Sequence, residues 1–206
     1  MLDIAEIFYS VQGESSYAGR PAVFIRLAGC NLSCRWCDTK YAREGGIKKS
    51  VAETSGVALE YSCPMAVITG GEPLLQEETP ELASLLIEEG LEVIIETNGS
   101  IDITGVPDGV ITVMDFKTPS SGESSSMDFS NAGRLKASDE LKFVISDRDD
   151  FLWSLKVLRD LRPDSGEVLF SPLEGGIGFR RLSEMVKKEA PGARVQPNLH
   201  KIFGFK

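Results

Sequence analysis

The 206-residue sequence predicts an α/β fold built on a parallel sheet, and three observations carry that prediction. Short β-branched runs alternate with amphipathic segments, as they do where parallel strands are joined by crossover helices. Six such runs are found, fewer than the eight that a closed βα barrel needs. Hydrophobic residues make up 42% of the chain, enough for one core that removes about 70% of the unfolded surface from water. The expectation is a single domain over residues 1–206: an open, partial, TIM-like βα barrel of about six parallel strands.

Taken in order, residues 23–27 form the first expected strand, 66–69 the second, 91–96 the third and 110–115 the fourth; 141–145 and 167–171 complete the series. The clearest helix follows the second strand. Thr79 reads as its N-cap, Pro80 takes the first helical position, where a missing N–H costs nothing, and Gly90 stops it. Leu82, Leu85 and Leu86 share one face. A second helix over 147–161 presents Leu152, Leu155 and Leu158, and a third over 180–189 presents Leu182, Met185 and Val186. Residues 118–139, rich in Ser, Gly and Asp, read as a long loop or one poorly ordered helix, a mobile or cap-like segment placed to cover a site.

Charge excludes some functions. Acidic residues number 31 against 22 basic ones, a net charge of -9, which is the wrong sign for direct nucleic-acid binding. No apolar run approaches the roughly 20 residues of a membrane span, and Met1-Leu2-Asp3 lacks a signal peptide's positive region. A cytoplasmic protein with reduced thiols is expected. The single histidine, His200, excludes two-histidine zinc sites and leaves little scope for histidine-based triads, so cysteine or a cofactor must carry any chemistry.

The distinctive polar residues gather just after the strands, where parallel α/β folds bring their loops to one face. Cys30, Cys34 and Cys37 follow the first strand, Gly70-Gly71-Glu72-Pro73 the second, Glu96-Thr97-Asn98-Gly99 the third, Asp115-Phe116-Lys117 the fourth and Ser171-Pro172-Leu173-Glu174 the sixth. An iron-sulfur cubane held by three protein thiolates keeps one iron open to a ligand. Tetrahedral zinc would need a fourth protein ligand, available only as Cys63 or His200. Cys63 itself reads as a small buried hydrophobe.

Several residues carry two readings. Trp36 either packs or shields a cluster from water. Gly70 and Gly71 either make a turn or let a ligand approach the backbone, with Glu72 able to hold an amine. Asp115 and Lys117 form a strand-end ion pair or meet a ligand, and Arg26 on an apolar strand is a structural ion pair or a carboxylate receptor. Gln12 and Glu14 flank Gly13 in a turn that is either solvated or functional.

The C-x3-C-x2-C triad of Cys30, Cys34 and Cys37, together with Gly70-Gly71-Glu72-Pro73, resembles the radical S-adenosylmethionine superfamily. That resemblance implies a [4Fe-4S] cluster whose open iron binds the amino and carboxylate groups of S-adenosylmethionine and reduces its sulfonium, giving methionine and a 5'-deoxyadenosyl radical. Such a reduction needs a potential toward the low end of the roughly -700 to +450 mV range of these clusters. More closely, the sequence resembles the 7-carboxy-7-deazaguanine synthase family over nearly the whole chain. The matching segments are residues 6–14, 24–26, 37–39, 69–73, 96–99, 119–122, 141–143 and 200–201. Ser15 departs from the family's usual glycine, and the tail 202–206 has no clear match, so no substrate contact is expected from it.

This resemblance implies conversion of 6-carboxy-5,6,7,8-tetrahydropterin into 7-carboxy-7-deazaguanine with loss of ammonia, S-adenosylmethionine being reformed at each turnover. Gln12, Gly13, Glu14, Arg26 and Thr69 would contact the pterin, and Thr39 would ligate Mg2+. Trp36, Cys37, Asp38, Gly70, Gly71, Glu72, Asn98, Asp115, Phe116, Lys117, Ser171, Pro172, Leu173 and Glu174 would line S-adenosylmethionine. A homodimer and an electron donor such as flavodoxin or ferredoxin are implied as well. The rival readings are a glycyl-radical-activating enzyme and a non-catalytic cysteine-metal module.

Overall fold

In the computed structural model, which describes residues 1–163 and 166–206, nine strands form one sheet. They are β1 (Leu2–Val11), β2 (Pro21–Leu27), β3 (Ile47–Lys49), β4 (Met65–Gly70), β5 (Glu92–Thr97), β6 (Ile111–Asp115), β7 (Glu140–Ile145), β8 (Glu167–Pro172) and β9 (Arg194–Val195). The helices are α1 (Val51–Leu59), α2 (Thr79–Glu88), α3 (Arg148–Leu161), α4 (Phe179–Glu189) and the short α5 (Leu199–Phe203). The order β3-β1-β2-β4-β5-β6-β7-β8-β9 is linear, so the barrel is open as expected. From β2 onward every neighbour is parallel.

All six expected strands are present. Sequence periodicity missed β1, β3 and β9. In β1 the register shifts between Ile4 and Glu6. That bulge swaps the faces: Leu2 and Ile4 pack outward with the helices, whereas Phe8 packs inward. Alternation, the usual strand signal, is broken in the middle. Helix α1 was also missed, although Ser50 and Glu53 form a reciprocal capping box at its start.

Period two explains where the core sits. Val23, Ile25, Leu27, Ile68, Val93 and Ile95 face outward against Leu82, Ala83 and Leu86 of α2. Leu141, Phe143, Ile145 and Phe170 face outward against Phe151 and Val157 of α3 and Leu182 and Val186 of α4. The inner face is apolar at the strand starts, with Ala22, Phe24, Met65, Val67, Ile94, Ile111 and Val113 clustered. Toward the strand ends its residues are polar: Arg26, Thr69, Glu96, Asp115 and Lys142 all border one cavity.

Two helix expectations need correction. Thr79 lies inside α2, and the N-cap is Glu78 without a side-chain cap bond; the Thr79 hydroxyl instead donates to the Pro73 carbonyl at 2.6 Å. In α3 Leu155 and Leu158 pack against the core as expected, but Leu152 is exposed and the buried positions are Asp150, Phe151, Ser154 and Val157. The Asp150 carboxylate accepts the amides of Ser120 (2.9 Å) and Ser146 (3.1 Å), tertiary bonds that draw a charged residue inward.

Residues 118–139 hold three 3-10 turns, Pro119–Ser121, Ser124–Ser126 and Phe129–Arg134, and no α-helix. Thr118, Ser121, Met127, Asn131, Ala132, Leu135 and Asp139 anchor them in the interior. The segment buttresses the cysteine loop, since Ser121 and Glu123 accept the amides of Arg35 (3.0 Å) and Ser33 (2.7 Å). Its pin is Asn131, fully buried, which donates to the carbonyls of Gly99 and Ile101 and accepts from Ile103 N and Arg134. Asn131→Ala orphans these groups, and urea unfolding should show a loss of about 2 kcal/mol.

Candidate active site at the carboxyl ends of the strands

The cysteine loop begins where β2 ends. It is held against the loop after β4 by direct backbone contact: the amide of Gly71 donates to Leu27 O at 3.2 Å and that of Glu72 to Gly29 O at 2.8 Å. A Cβ at residue 70 would lie 2.2 Å from Leu27 O, and one at residue 71 would lie 2.1 Å from Gly29 O and 2.7 Å from Cys30 Cβ. The two glycines therefore admit the chain's own backbone, and both also border the cavity.

Cys30, Cys34 and Cys37 are free, half-buried thiols that border one cavity of about 510 Å3. Burial pushes the Cys30 and Cys34 thiols up. Among the described residues no three His, Cys, Asp or Glu side chains gather as a single ion requires. Three thiols around a wider space suit a polynuclear group, in which each would bind a different iron. Cys63 is elsewhere, at the start of β4, with its thiol donating to Pro21 O at 3.4 Å.

Most expected site residues meet at this cavity. Gln12, Gly13, Glu14, Arg26 and Thr69 line it, as do Trp36, Asp38, Thr39, Gly70, Gly71 and Asn98. Asp115, Lys117, Pro172, Leu173 and Glu174 line it from the later strands. Three do not. Glu72 is fully buried, and its carboxylate accepts from Leu74 N (3.0 Å), Thr97 Oγ1 (2.8 Å) and Asn98 N (2.7 Å). With those lone pairs taken it ties the loop after β4 to that after β5, and burial raises its carboxyl above the ordinary range. Phe116 faces outward in an aromatic cluster with Phe129, Phe143 and Trp153. Ser171 is fully buried beneath the wall.

The lining also holds residues that the sequence left without a role: Glu96, Lys142, Arg43, Asn198, His200 and Lys201. Lys142 sits among Leu141, Phe143, Val144 and Ile145, a charge in an apolar run that was readable in the sequence. Phe205 and Lys206 border the cavity too, against the expectation for the tail, and Lys206 pairs with Glu6. The tail arrives because Gln196 donates to Ser15 O at 2.8 Å and Leu199 N to Gly13 O at 2.9 Å. Ser15 holds φ at +65°, a left-handed conformation that accounts for glycine being usual there.

Several charges inside the cavity are paired, whereas Arg43 Nε is buried without a partner. Arg26 Nε lies 2.9 Å from Glu6 Oε1, which also accepts from the Tyr41 hydroxyl at 2.7 Å. Asp115 lies between two ammonium groups, 3.1 Å from Lys117 and 3.3 Å from Lys142, and Lys142 also pairs with Glu14. Burial works to raise the Asp115 carboxyl, but the two lysines outweigh it and hold it at about 2. Its Oδ1 is buried with no partner in the protein, an acceptor free for a ligand.

A parallel βα half-barrel with three unpaired thiols in the loop after its first parallel strand defines a radical S-adenosylmethionine protein, and the Radical SAM superfamily profile matches residues 24–108. The chain is 43% identical over 204 residues to 7-carboxy-7-deazaguanine synthase of Methanospirillum hungatei JF-1, covering 98% of this chain and 86% of that one. It is 37% identical to the synthase of Chlorobaculum tepidum, covering 98% and 94%. The chain belongs to the 7-carboxy-7-deazaguanine synthase family of radical enzymes. The fold agrees with the crystal structure of QueE from Escherichia coli, at TM-score 0.74 and 23% identity over 97% of this chain and 94% of that one.

Gly71→Ala should destabilise the protein by at least about 2 kcal/mol in urea, because rigid backbone blocks the new methyl. Gly133→Ala, with open space around it, is the control. The depressed Asp115 carboxyl contributes stability above the ordinary carboxyl range near pH 4. That contribution, about 2 kcal/mol, should be lost as pH falls from about 4 to 2, and Asp115→Asn should flatten that limb of the stability profile.

Proposed function

We propose that the cavity is the site at which this enzyme converts 6-carboxy-5,6,7,8-tetrahydropterin into 7-carboxy-7-deazaguanine with loss of ammonia. One observation supports this most: the three cysteines and the set Gln12, Glu14, Arg26 and Thr69 face a single cavity, although they come from separate parts of the chain. A cluster and a small polar substrate would therefore be held side by side. When bound, the cluster with S-adenosylmethionine supplies the radical that removes hydrogen from ring carbon C6 of the pterin.

The chain's own groups have separable tasks. Cys30, Cys34 and Cys37 hold the cluster as thiolates, and the Cys30 and Cys34 thiols, pushed up by burial, release their protons on loading. Asp38, Asn98, Asp115, Lys117 and residues 172–174 form the S-adenosylmethionine side, where the free Asp115 Oδ1 accepts a donor. Glu14 accepts from the amino and ring N–H groups of the pterin, and Gln12, oriented by its 2.9 Å bond to Glu96, stands beside it. Arg26 receives the substrate carboxylate with its remaining donors while Glu6 holds its Nε. Thr39, whose Oγ1 lies 3.8 Å from Cys37 Sγ, gives Mg2+ one protein oxygen, the ion's other ligands being water and substrate oxygens.

Residues 1–206 act as one catalytic unit in this reading, as a homodimer in the cytoplasm, with an electron donor such as flavodoxin or ferredoxin as reductant. Among the described residues no helix is long and apolar enough to cross a membrane.

Anaerobic reconstitution with iron and sulfide should give a brown protein that, once reduced, forms 7-carboxy-7-deazaguanine from the carboxytetrahydropterin. Cleavage of S-adenosylmethionine without that product would refute the substrate while sparing the cluster. Cys34→Ala should abolish iron loading, and Cys63→Ala should leave iron content within about 10% of wild type because that thiol is bonded to Pro21 O away from the cavity.

A further inference from the structure

Lys142 is the third residue of β7 and faces the inner side of the sheet, where its side chain is only 8% exposed. An ammonium so placed must be paired. Its Nζ is shared by two carboxylates from distant parts of the chain: Asp115, its register partner on β6, at 3.3 Å, and Glu14 from the loop after β1. Each carboxylate keeps acceptor capacity on its far side. Asp115 Oδ1 is buried and unpartnered, and Glu14 Oε1 has only the His200 ring, 4.0 Å away. Among the described residues no other lysine or arginine pairs with Glu14.

We propose that Lys142 is a positioning residue that couples the two halves of the cavity, so that S-adenosylmethionine and the pterin each bind more tightly when the other is present. This rests on the assignment above of Asp115 to the cofactor side and Glu14 to the substrate side. A donor bound to Asp115 Oδ1 fixes that carboxylate, hence the shared ammonium, hence Glu14. The ordering cost falls on the first ligand, and the second finds its carboxylate already aimed. By reciprocity the effect runs equally in both directions.

The test is equilibrium dialysis of S-adenosylmethionine against cluster-loaded, unreduced enzyme, with and without saturating carboxytetrahydropterin. Wild type should show at least about a fivefold tightening by the pterin. In Lys142→Gln that ratio should fall to about one, and Lys142→Arg, which keeps the charge, should recover part of it. Should Lys142→Gln fail to fold or load iron, Lys142→Met, which keeps the apolar stem and removes only the ammonium, decides the matter: with each ligand shown to bind alone, the tightening should disappear. A wild-type ratio of one, or a wild-type-like ratio in the folded variants, overturns the coupling and leaves the site assignment standing. Wild-type enzyme that binds neither ligand overturns the site assignment itself.

Discussion

Backbone meets backbone where the cysteine loop lies against the loop after β4, and the site depends on that contact. Leu27 O and Gly29 O occupy the space that side chains at residues 70 and 71 would fill. Two neighbouring strand ends can approach so closely only with hydrogen there. Glu72 then takes up the next link, accepting from Leu74, Thr97 and Asn98, so that the loops after β2, β4 and β5 move as one body. The cysteines inherit that rigidity, which matters because a group bound through three thiols requires their spacing before it arrives.

The inner face of an open barrel poses a second constraint. Its apolar residues pack at the strand starts, and its charged residues toward the ends must be satisfied inside a partly dry space. The solution is alternation of sign: Lys117, Asp115, Lys142 and Glu14 form a chain, with Arg26 and Glu6 as a separate pair. Such an arrangement costs desolvation that it recovers only when complete. Segments outside the barrel complete it, since Glu14 comes from the β1–β2 connection, and the tail that brings Lys206 to Glu6 is tied to Gly13 and Ser15.

Much of the fold was legible because parallel strands buried on both faces are written as short β-branched runs, and all six were found by that signal. The strands that escaped lacked it. β1 changes face at its bulge, and β3 and β9 are three and two residues long. Helix α3 was found with Leu155 and Leu158 on the core as expected, but Leu152 is exposed and Asp150 is drawn inward by its hydrogen bonds to Ser120 and Ser146. Among the site residues, spacing placed the cysteines and the family resemblance placed Gln12 to Glu14, Thr69 and Asp115 together, and all of them border the cavity. The resemblance failed for Glu72 and Phe116, which are adjacent in sequence to lining residues but bury their side chains elsewhere, and for Ser171, which is fully buried without bordering the cavity.

What the sequence determined by itself were the local choices: which runs extend, where Gly and Pro break helices, and a three-thiol spacing that suits a cluster with an open iron. Tertiary structure alone decided facing and pairing. Whether Glu72 meets a ligand or the donors of Thr97 and Asn98, whether Lys142 ends in solvent or between two carboxylates, and whether the tail reaches the cavity all depend on groups more than twenty positions away. Local pattern carries the periodicity of one element, whereas the direction of a side chain's charge is set by the field of elements that only folding brings near.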